Sequence, residues 1–197
     1  MRILIVDDDV DMRRLLMRTL QRWGYDVVPA ADGVEAWERL QNEPISFVIT
    51  DWTMPNLDGL GLCRRIREAK FARYIYVILL TAKNSKDELI TGMEAGADDF
   101  LIKPFNAGEL QVRIRAGERI VTLESNLEEQ NKKLQEAYSR IREDLDAAVK
   151  MQRGLLPSSA LTIPGFKFDW IFTPCHFVAG DIFNFFQLNE HQVGFYI

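Results

Sequence analysis

At 197 residues, with 47% hydrophobic and 27% charged side chains, the chain has the make-up of an ordinary soluble globular protein with material for a core, so disorder is not the expectation. Its formal charge of −5 provides no global positive field, so neither nucleic acid nor an anionic membrane surface is expected as a partner. Domains usually run to roughly 100–200 residues, which points to one domain with appendages. The basic clusters Arg64, Arg65 and Arg67, and Lys132 and Lys133, sit in helical patterns and read as solvated helix faces. Cys63 and Cys175 follow no metal-ligand spacing, and with no signal peptide the expected compartment is a reducing cytoplasm. The most apolar run, Tyr74 to Leu80, is far shorter than the roughly 20 residues that cross a bilayer as a helix.

From residue 2 onward, short apolar runs alternate with helix-period segments, the pattern of a parallel sheet covered by helices on both faces. Strands are expected at Ile3–Val6, Asp26–Pro29, Phe47–Thr50, Ile75–Leu80 and Phe100–Ile102, the fourth fully buried and central or nearly so. Met12, Leu15, Leu16, Leu20 and Trp23 mark a first amphipathic helix that Gly24 ends as a left-handed cap. Val34, Trp37 and Leu40 mark a second, and Leu62 and Ile66 a third. Ser85 with Glu88 makes a capping-box start for a fourth that Gly96 closes.

A fifth helix opens near Asn106 or Ala107 and meets no convincing stop until Gly154 or Pro157. Ile120, Leu127, Leu134 and Ile141 recur every seven residues, the repeat that supercoils helices against one another, so a dimeric coiled coil over 120–156 is expected. Leu123 starts one register; Asn131, Tyr138 and Leu145 define the other, which is favoured. There Asn131 pairs with its symmetry mate and selects two parallel strands. The alternative is an amphipathic helix folded against its own chain. After Pro157 the texture changes to short β-like runs, Phe166–Phe172 and Val193–Ile197, read as a β-rich partial domain over 157–197 that stops as a gene fragment would.

Asp7, Asp8 and Asp9 follow the first strand directly, and Asp51 follows the third in the same way. In a doubly wound sheet of order 2-1-3-4-5 those strands are neighbours at the switch point, where ligands bind at the carboxyl ends, so Asp7, Asp8 and Asp51 converge. Gathered carboxylates repel unless a proton or a hard metal compensates, and Mg²⁺, which uses one or two carboxylates and leaves room for phosphate, fits best. Thr81 ends the fourth strand and Lys103 follows the fifth. A lysine and a hydroxyl facing a metal-bound carboxylate can hold phosphoryl oxygens while Asp51 attacks in line, forming an acyl phosphate. Singly these residues read as helix caps, a turn and a solvated lysine; together, on four strand ends, they read as a site.

The segments ILIVDDD at 3–9, VITDWTMPNLDG at 48–59, ILLTAK at 78–83 and ADDFLIKPF at 97–105 together resemble the receiver-domain signature of two-component response regulators. The resemblance implies a flavodoxin-like α/β fold over residues 1–119, phosphorylation of Asp51 by a sensor histidine kinase, Asp7 and Asp8 as the acidic pair, and Lys103 as the conserved lysine. It further implies a metal-ligating carbonyl on Thr53, a cis bond between Lys103 and Pro104, and switch roles for Thr81 and Phe100. Phe100 stands where the family commonly has tyrosine, so an outward hydroxyl contact is lost. Thr53 and Lys83 occupy positions that influence dephosphorylation in the family.

The stretch AAVKMQRGLLP at 147–157, followed by IFTPCHFVAGDIFNFFQL at 171–188, resembles the start of a PPM-type metal-dependent serine/threonine phosphatase. By that resemblance Asp181 is a candidate metal ligand, and the partner is a phosphoserine or phosphothreonine protein. Ala179 replaces a glycine, Asn184 replaces a second aspartate, and the family's next acidic motif does not occur up to Ile197, so this chain alone is not expected to be an active phosphatase. Phe183, Phe185 and Phe186 are expected in a core, and His176 and His191 read as ordinary polar residues. The expected whole is a cytoplasmic, homodimeric response regulator relaying Asp51 phosphorylation through the coiled coil to a phosphatase effector. The alternative is a phosphorylation-controlled adaptor whose phosphatase-like part recruits a protein.

Overall fold

The computed structural model describes residues 1–69, 71–82, 86–157, 169, 171–173, 177–178, 180, 182–189 and 192–197, with the backbone alone at 86–89. Strands β1 (Arg2–Val6), β2 (Asp26–Ala30), β3 (Phe47–Asp51), β4 (Tyr76–Thr81) and β5 (Asp99–Ile102) alternate with helices α1 (Val10–Arg22), α2 (Gly33–Asn42), α3 (Gly59–Glu68), α4 (Lys86–Glu94) and α5 (Ala107–Leu155). The five strands form one sheet of order β2-β1-β3-β4-β5, every neighbouring pair parallel. This is the flavodoxin-like arrangement expected from the alternating pattern, with strand ends within one residue of those read from the sequence. Pro29 lies on β2, an edge strand, where its missing N–H leaves no ladder bond unmade on the open side.

Side-chain alternation along the strands sorts the core into two layers. Ile3, Ile5, Phe47, Ile49, Tyr76, Ile78 and Leu80 pack with Leu16 and Leu20 of α1 and with Leu110 and Ile114 of α5. Leu4, Val6, Val48, Val77 and Leu79 point the other way, onto Ala36 and Leu40 of α2 and Leu62, Cys63 and Ile66 of α3. Every residue of β4 is buried, as a strand covered on both faces requires. Asp9, Asp32 and Asp58 cap α1, α2 and α3, each accepting hydrogen bonds from first-turn amides that have no helical partner. Gly24 and Gly96 have φ of 87° and 99°, the left-handed conformation expected of helix-ending glycines. The capping box of Ser85 and Glu88 lies outside the described residues.

Helix α5 runs for 49 residues, of which only Leu110, Ile114 and Gly117 are buried. At Gly117 it passes over the stacked rings of Phe47 and Tyr76, whose centroids lie 5.1 Å apart. A β-carbon there would come within 2.5 Å of Tyr76 and 2.6 Å of Phe47. The Tyr25 hydroxyl donates to Glu118 at 3.2 Å just beyond this crossing. Further along, Leu123, Leu127, Leu134, Tyr138 and Ile141 are exposed by 52% to 72%, so the seven-residue repeat is uncovered in a single chain.

The chain divides into two compact units, Met1–Glu129 and Gln130–Ile197, and α5 supplies residues to each. In the second, β6 (Asn184–Asn189) and β7 (Gln192–Tyr196) form a two-stranded antiparallel sheet. The β-rich segment is thus a hairpin: β7 matches the run at Val193–Ile197, whereas Asp169, Ile171 and Phe172, the described part of the expected Phe166–Phe172 strand, carry none. Phe185 is buried but Phe186 is 46% exposed, a correction to the expectation that the aromatic group all enters a core, because alternate residues of a two-stranded sheet face opposite sides. Among the described residues no helix is long and apolar enough to cross a membrane.

Burial, then the nearby Asp99 and Asp98 carboxylates, push the Tyr76 phenol from 10.0 up to about 12. The folded protein therefore holds this proton more tightly than the unfolded chain, and the resulting stability is complete below pH 10 and lost as pH rises toward 12. Urea unfolding of Tyr76→Phe should lack this component, so that between those pH values the wild type loses about 2–3 kcal/mol more than the variant. Parallel losses in the two proteins would show that Tyr76 does not carry the alkaline transition.

Candidate functional site

β1 and β3 lie side by side, which brings the residue after β1, Asp7, beside the last residue of β3, Asp51. Lys103, immediately after β5, reaches across: its ammonium donates to Asp7 Oδ2 at 3.0 Å and to Asp51 Oδ1. Side-chain exposures of 1% for Asp7, 13% for Asp51 and 22% for Lys103 leave this ion triad largely buried, with Lys103 the most solvated of the three. The Thr53 amide donates to Asp51 Oδ2 at 3.0 Å, so both carboxylate oxygens of Asp51 are oriented. Thr81 ends β4, is buried, and its carbonyl accepts from the Lys103 amide at 2.7 Å. The following Lys103–Pro104 peptide is cis.

The three consecutive acids divide into separate tasks. Asp7 Oδ1 accepts from the Asp9 amide at 2.9 Å while its other oxygen faces Lys103. Asp9 Oδ1 accepts from the Asp11 amide at 2.8 Å and so caps α1. Asp8, between them, is exposed. Arg13, one turn into α1, donates to the Asp7 carbonyl, a contact for which sequence reasoning had no signal because nothing in an arginine's neighbours shows that it turns back on its own helix start.

Burial raises the Asp7 pKa, opposed by the Asp9 amide and by Lys103, and the negative charge of Asp51 adds to the rise. Burial works against the Lys103 ammonium, but its hydrogen bonds to Asp51 and Asp7 outweigh that and hold its pKa above the ordinary value. One ammonium thus serves two carboxylates.

Whether these residues suit Mg²⁺ follows from the same geometry. Among the described residues no three acidic, imidazole or thiolate groups gather into a ready-made metal cage. Mg²⁺ retains several waters and binds through one or two carboxylates plus phosphate, and the site presents all-oxygen donors with Asp7 held in a position that disfavours its charge. The residues fit such an ion.

Phe100 of β5 is partly buried against the α2–α3 layer, and the Arg113 guanidinium of α5 stands 5.8 Å from its ring centroid. Arg113 also donates to Asp99 at 2.5 Å, which ties β5 to α5. No motif singled out Arg113; its spacing from Asp99 becomes meaningful only once α5 packs beside β5. Asp181, Lys83, Cys175, His176 and His191 lie outside the described residues.

The response regulator receiver domain family matches residues 3–115, and the chain belongs to it. It carries the receiver domain of a two-component response regulator, and receiver domains of this family are phosphorylated by sensor histidine kinases and generally use Mg²⁺. The chain is 43% identical over 115 residues to the probable transcriptional regulator ycf27 of Porphyridium aerugineum, a match covering 58% of this chain and 47% of that protein. It is 40% identical over 116 residues to the chemotaxis protein CheY1 of Helicobacter pylori, covering 58% of this chain and 94% of that one. The solved structure of CheY4 of Vibrio cholerae superposes with a TM-score of 0.56 at 31% identity, covering 59% of this chain and 97% of that one. The chain spans about half the length of the ycf27 regulators it matches.

Removing Lys103 leaves Asp7 buried beside Asp51 with no cation between them. Lys103→Ala should lower stability by about 1–3 kcal/mol, less than for a fully buried pair because the ammonium is partly solvated. In an Asp7→Asn background the same change should have less than half that effect, measured by urea unfolding at pH 7. Equal losses in both backgrounds would show that the pair is not coupled.

Proposed function

We propose that Asp51 is the phosphoryl acceptor of this receiver and that the long helix carries the resulting signal to the C-terminal region. The observation that supports it most is the Lys103 ammonium shared between Asp7 and Asp51 on adjacent strand ends. An Asp51 oxygen attacks the phosphorus of the donor in line, the bond from phosphorus to the donor's leaving atom breaks, and an acyl phosphate forms. Lys103 exchanges its carboxylate contact for a phosphoryl oxygen, and the Thr81 hydroxyl turns toward another. Asp7, Asp8, Asp51 and the Thr53 carbonyl would hold Mg²⁺, which when bound neutralises charge on the transferring group. Movement of Thr81 opens space for Phe100, and the Arg113–Asp99 contact conveys the change to α5.

In this reading residues 1–119 are the receiver, 120–156 a parallel homodimeric coiled coil with Asn131 in its seam, and 157–197 the first part of an effector. The uncovered seven-residue repeat supports the dimer, since a lone helix with that stripe leaves apolar surface in water. For the effector, the resemblance to PPM phosphatases assigns Asp181 to metal binding and a phosphoserine or phosphothreonine protein as target, with the protein working in the cytoplasm. The adaptor reading, a phosphatase-like part that recruits a protein rather than dephosphorylating it, is favoured by one contact. The Asn184 amide donates to the Leu155 carbonyl at 3.1 Å, at the end of α5, where an ionised aspartate would have no proton to give.

Incubation with acetyl phosphate and Mg²⁺ should add one phosphate to the chain by intact mass and none to Asp51→Asn. Leu134→Lys should convert a dimer to a monomer in sedimentation while leaving that labelling intact. A wild type that takes up no phosphate overturns the acceptor reading, and a monomeric wild type overturns the coiled coil.

A further inference from the structure

The segment joining β3 to α3, residues 52–58, carries Thr53, whose amide orients Asp51. Its inner side is held by Trp52 and Met54, 7% and 8% exposed, in the core layer under α2 and α3. Its outer side is held by contacts that the phosphoryl chemistry does not itself use. The Asn56 amide donates to Asp32 Oδ2 at 2.6 Å, and the Leu57 carbonyl accepts from the Gly33 amide at 3.1 Å.

Asp32 divides its two oxygens between two structures. Oδ1 accepts from the Val34 and Glu35 amides, both at 2.9 Å, and so starts α2. Oδ2 takes the Asn56 amide and ties the loop to that helix start. The fit leaves no slack, because a β-carbon on Gly33 would stand 2.9 Å from the Leu57 side chain. Asn56 itself has φ of 63°, a left-handed conformation that asparagine and glycine tolerate and most residues do not.

We infer that Asn56 and Asp32 are positioning residues for phosphoryl acceptance: by tying the β3–α3 loop to the start of α2, they keep the Thr53 amide on Asp51 and the Thr53 carbonyl aimed into the site. The inference rests on Asp51 being the acceptor. Neither residue touches the reacting atoms. Without the tie, the outer side of the loop is held by the Leu57–Gly33 contact alone, one residue further from the site, and Thr53 samples orientations in which its carbonyl is unavailable to Mg²⁺. Loss of one such hydrogen bond shifts an equilibrium by about threefold to tenfold.

Two substitutions remove the tie and leave its surroundings in place. Asn56→Gly keeps the left-handed turn but deletes the amide. Asp32→Ser keeps a good helix cap but is too short to reach Asn56. In the full chain, each should raise the Mg²⁺ concentration for half-maximal acetyl phosphate labelling by about threefold to tenfold, with labelling at saturating Mg²⁺ near the wild-type rate. The Mg²⁺ dissociation constant from calorimetry should rise by the same factor, and the double variant should be no worse than either single one. Variants that match the wild type in both measurements overturn the inference, as do additive losses in the double variant. Asp51→Asn separates the two levels: a wild type labelled no more than this variant overturns the acceptor reading and this inference with it, whereas normal wild-type labelling with unaffected Asn56→Gly overturns the positioning role alone.

Discussion

One ammonium group holds the receiver's reactive end together. Asp7 and Asp51 are placed side by side by strand order, and two carboxylates so close cannot both stay charged in a largely buried setting without a compensating cation. Lys103 supplies it from the end of β5, and in doing so spans the carboxyl edge of the sheet from β1 to β5.

The layers beneath exist to keep those strand ends in register. Period-two alternation sends Ile3 and Ile5 to one side and Leu4 and Val6 to the other, so a shift of one residue in β1 would exchange side chains between the two apolar layers, each packed for different shapes, and move Asp7 away from Asp51. The loops above are tied down by different means: a cap for α1 from Asp9, a carbonyl clamp from Arg13, and a two-way carboxylate at Asp32. Each uses a polar group at the end of one element to fix the next.

Helix α5 has two different environments along one continuous backbone. Up to Gly117 it is packed on Phe47 and Tyr76, and the absence of a side chain at Gly117 permits that approach. Beyond it, Leu123, Leu127, Leu134, Tyr138 and Ile141 are uncovered. Arg113, in the packed part, stands 5.8 Å from the Phe100 ring centroid and donates to Asp99, so that part of α5 is fixed to β5.

Sheet topology, the five strands, the extent of α5 and the grouping of Asp7, Asp51 and Lys103 were legible in the sequence, because hydrophobic period and position after a strand are local properties that survive into the fold. Arg13, Arg113, Asn56 and Asp32 were not: each acts through a partner chosen by packing, and an arginine clamp or an asparagine tie has no characteristic spacing. The separate tasks of Asp7, Asp8 and Asp9 were equally hidden, since three identical side chains in a row differ only in the direction the turn gives them. Strand β6 was missed because its aromatic residues look the same whether they enter a core or alternate across a hairpin. The sequence by itself determined which ionisable and hydroxyl side chains stand at which strand ends, through short-range pattern. Only the tertiary structure decided which groups pair, because pairing depends on distances between segments far apart in the chain.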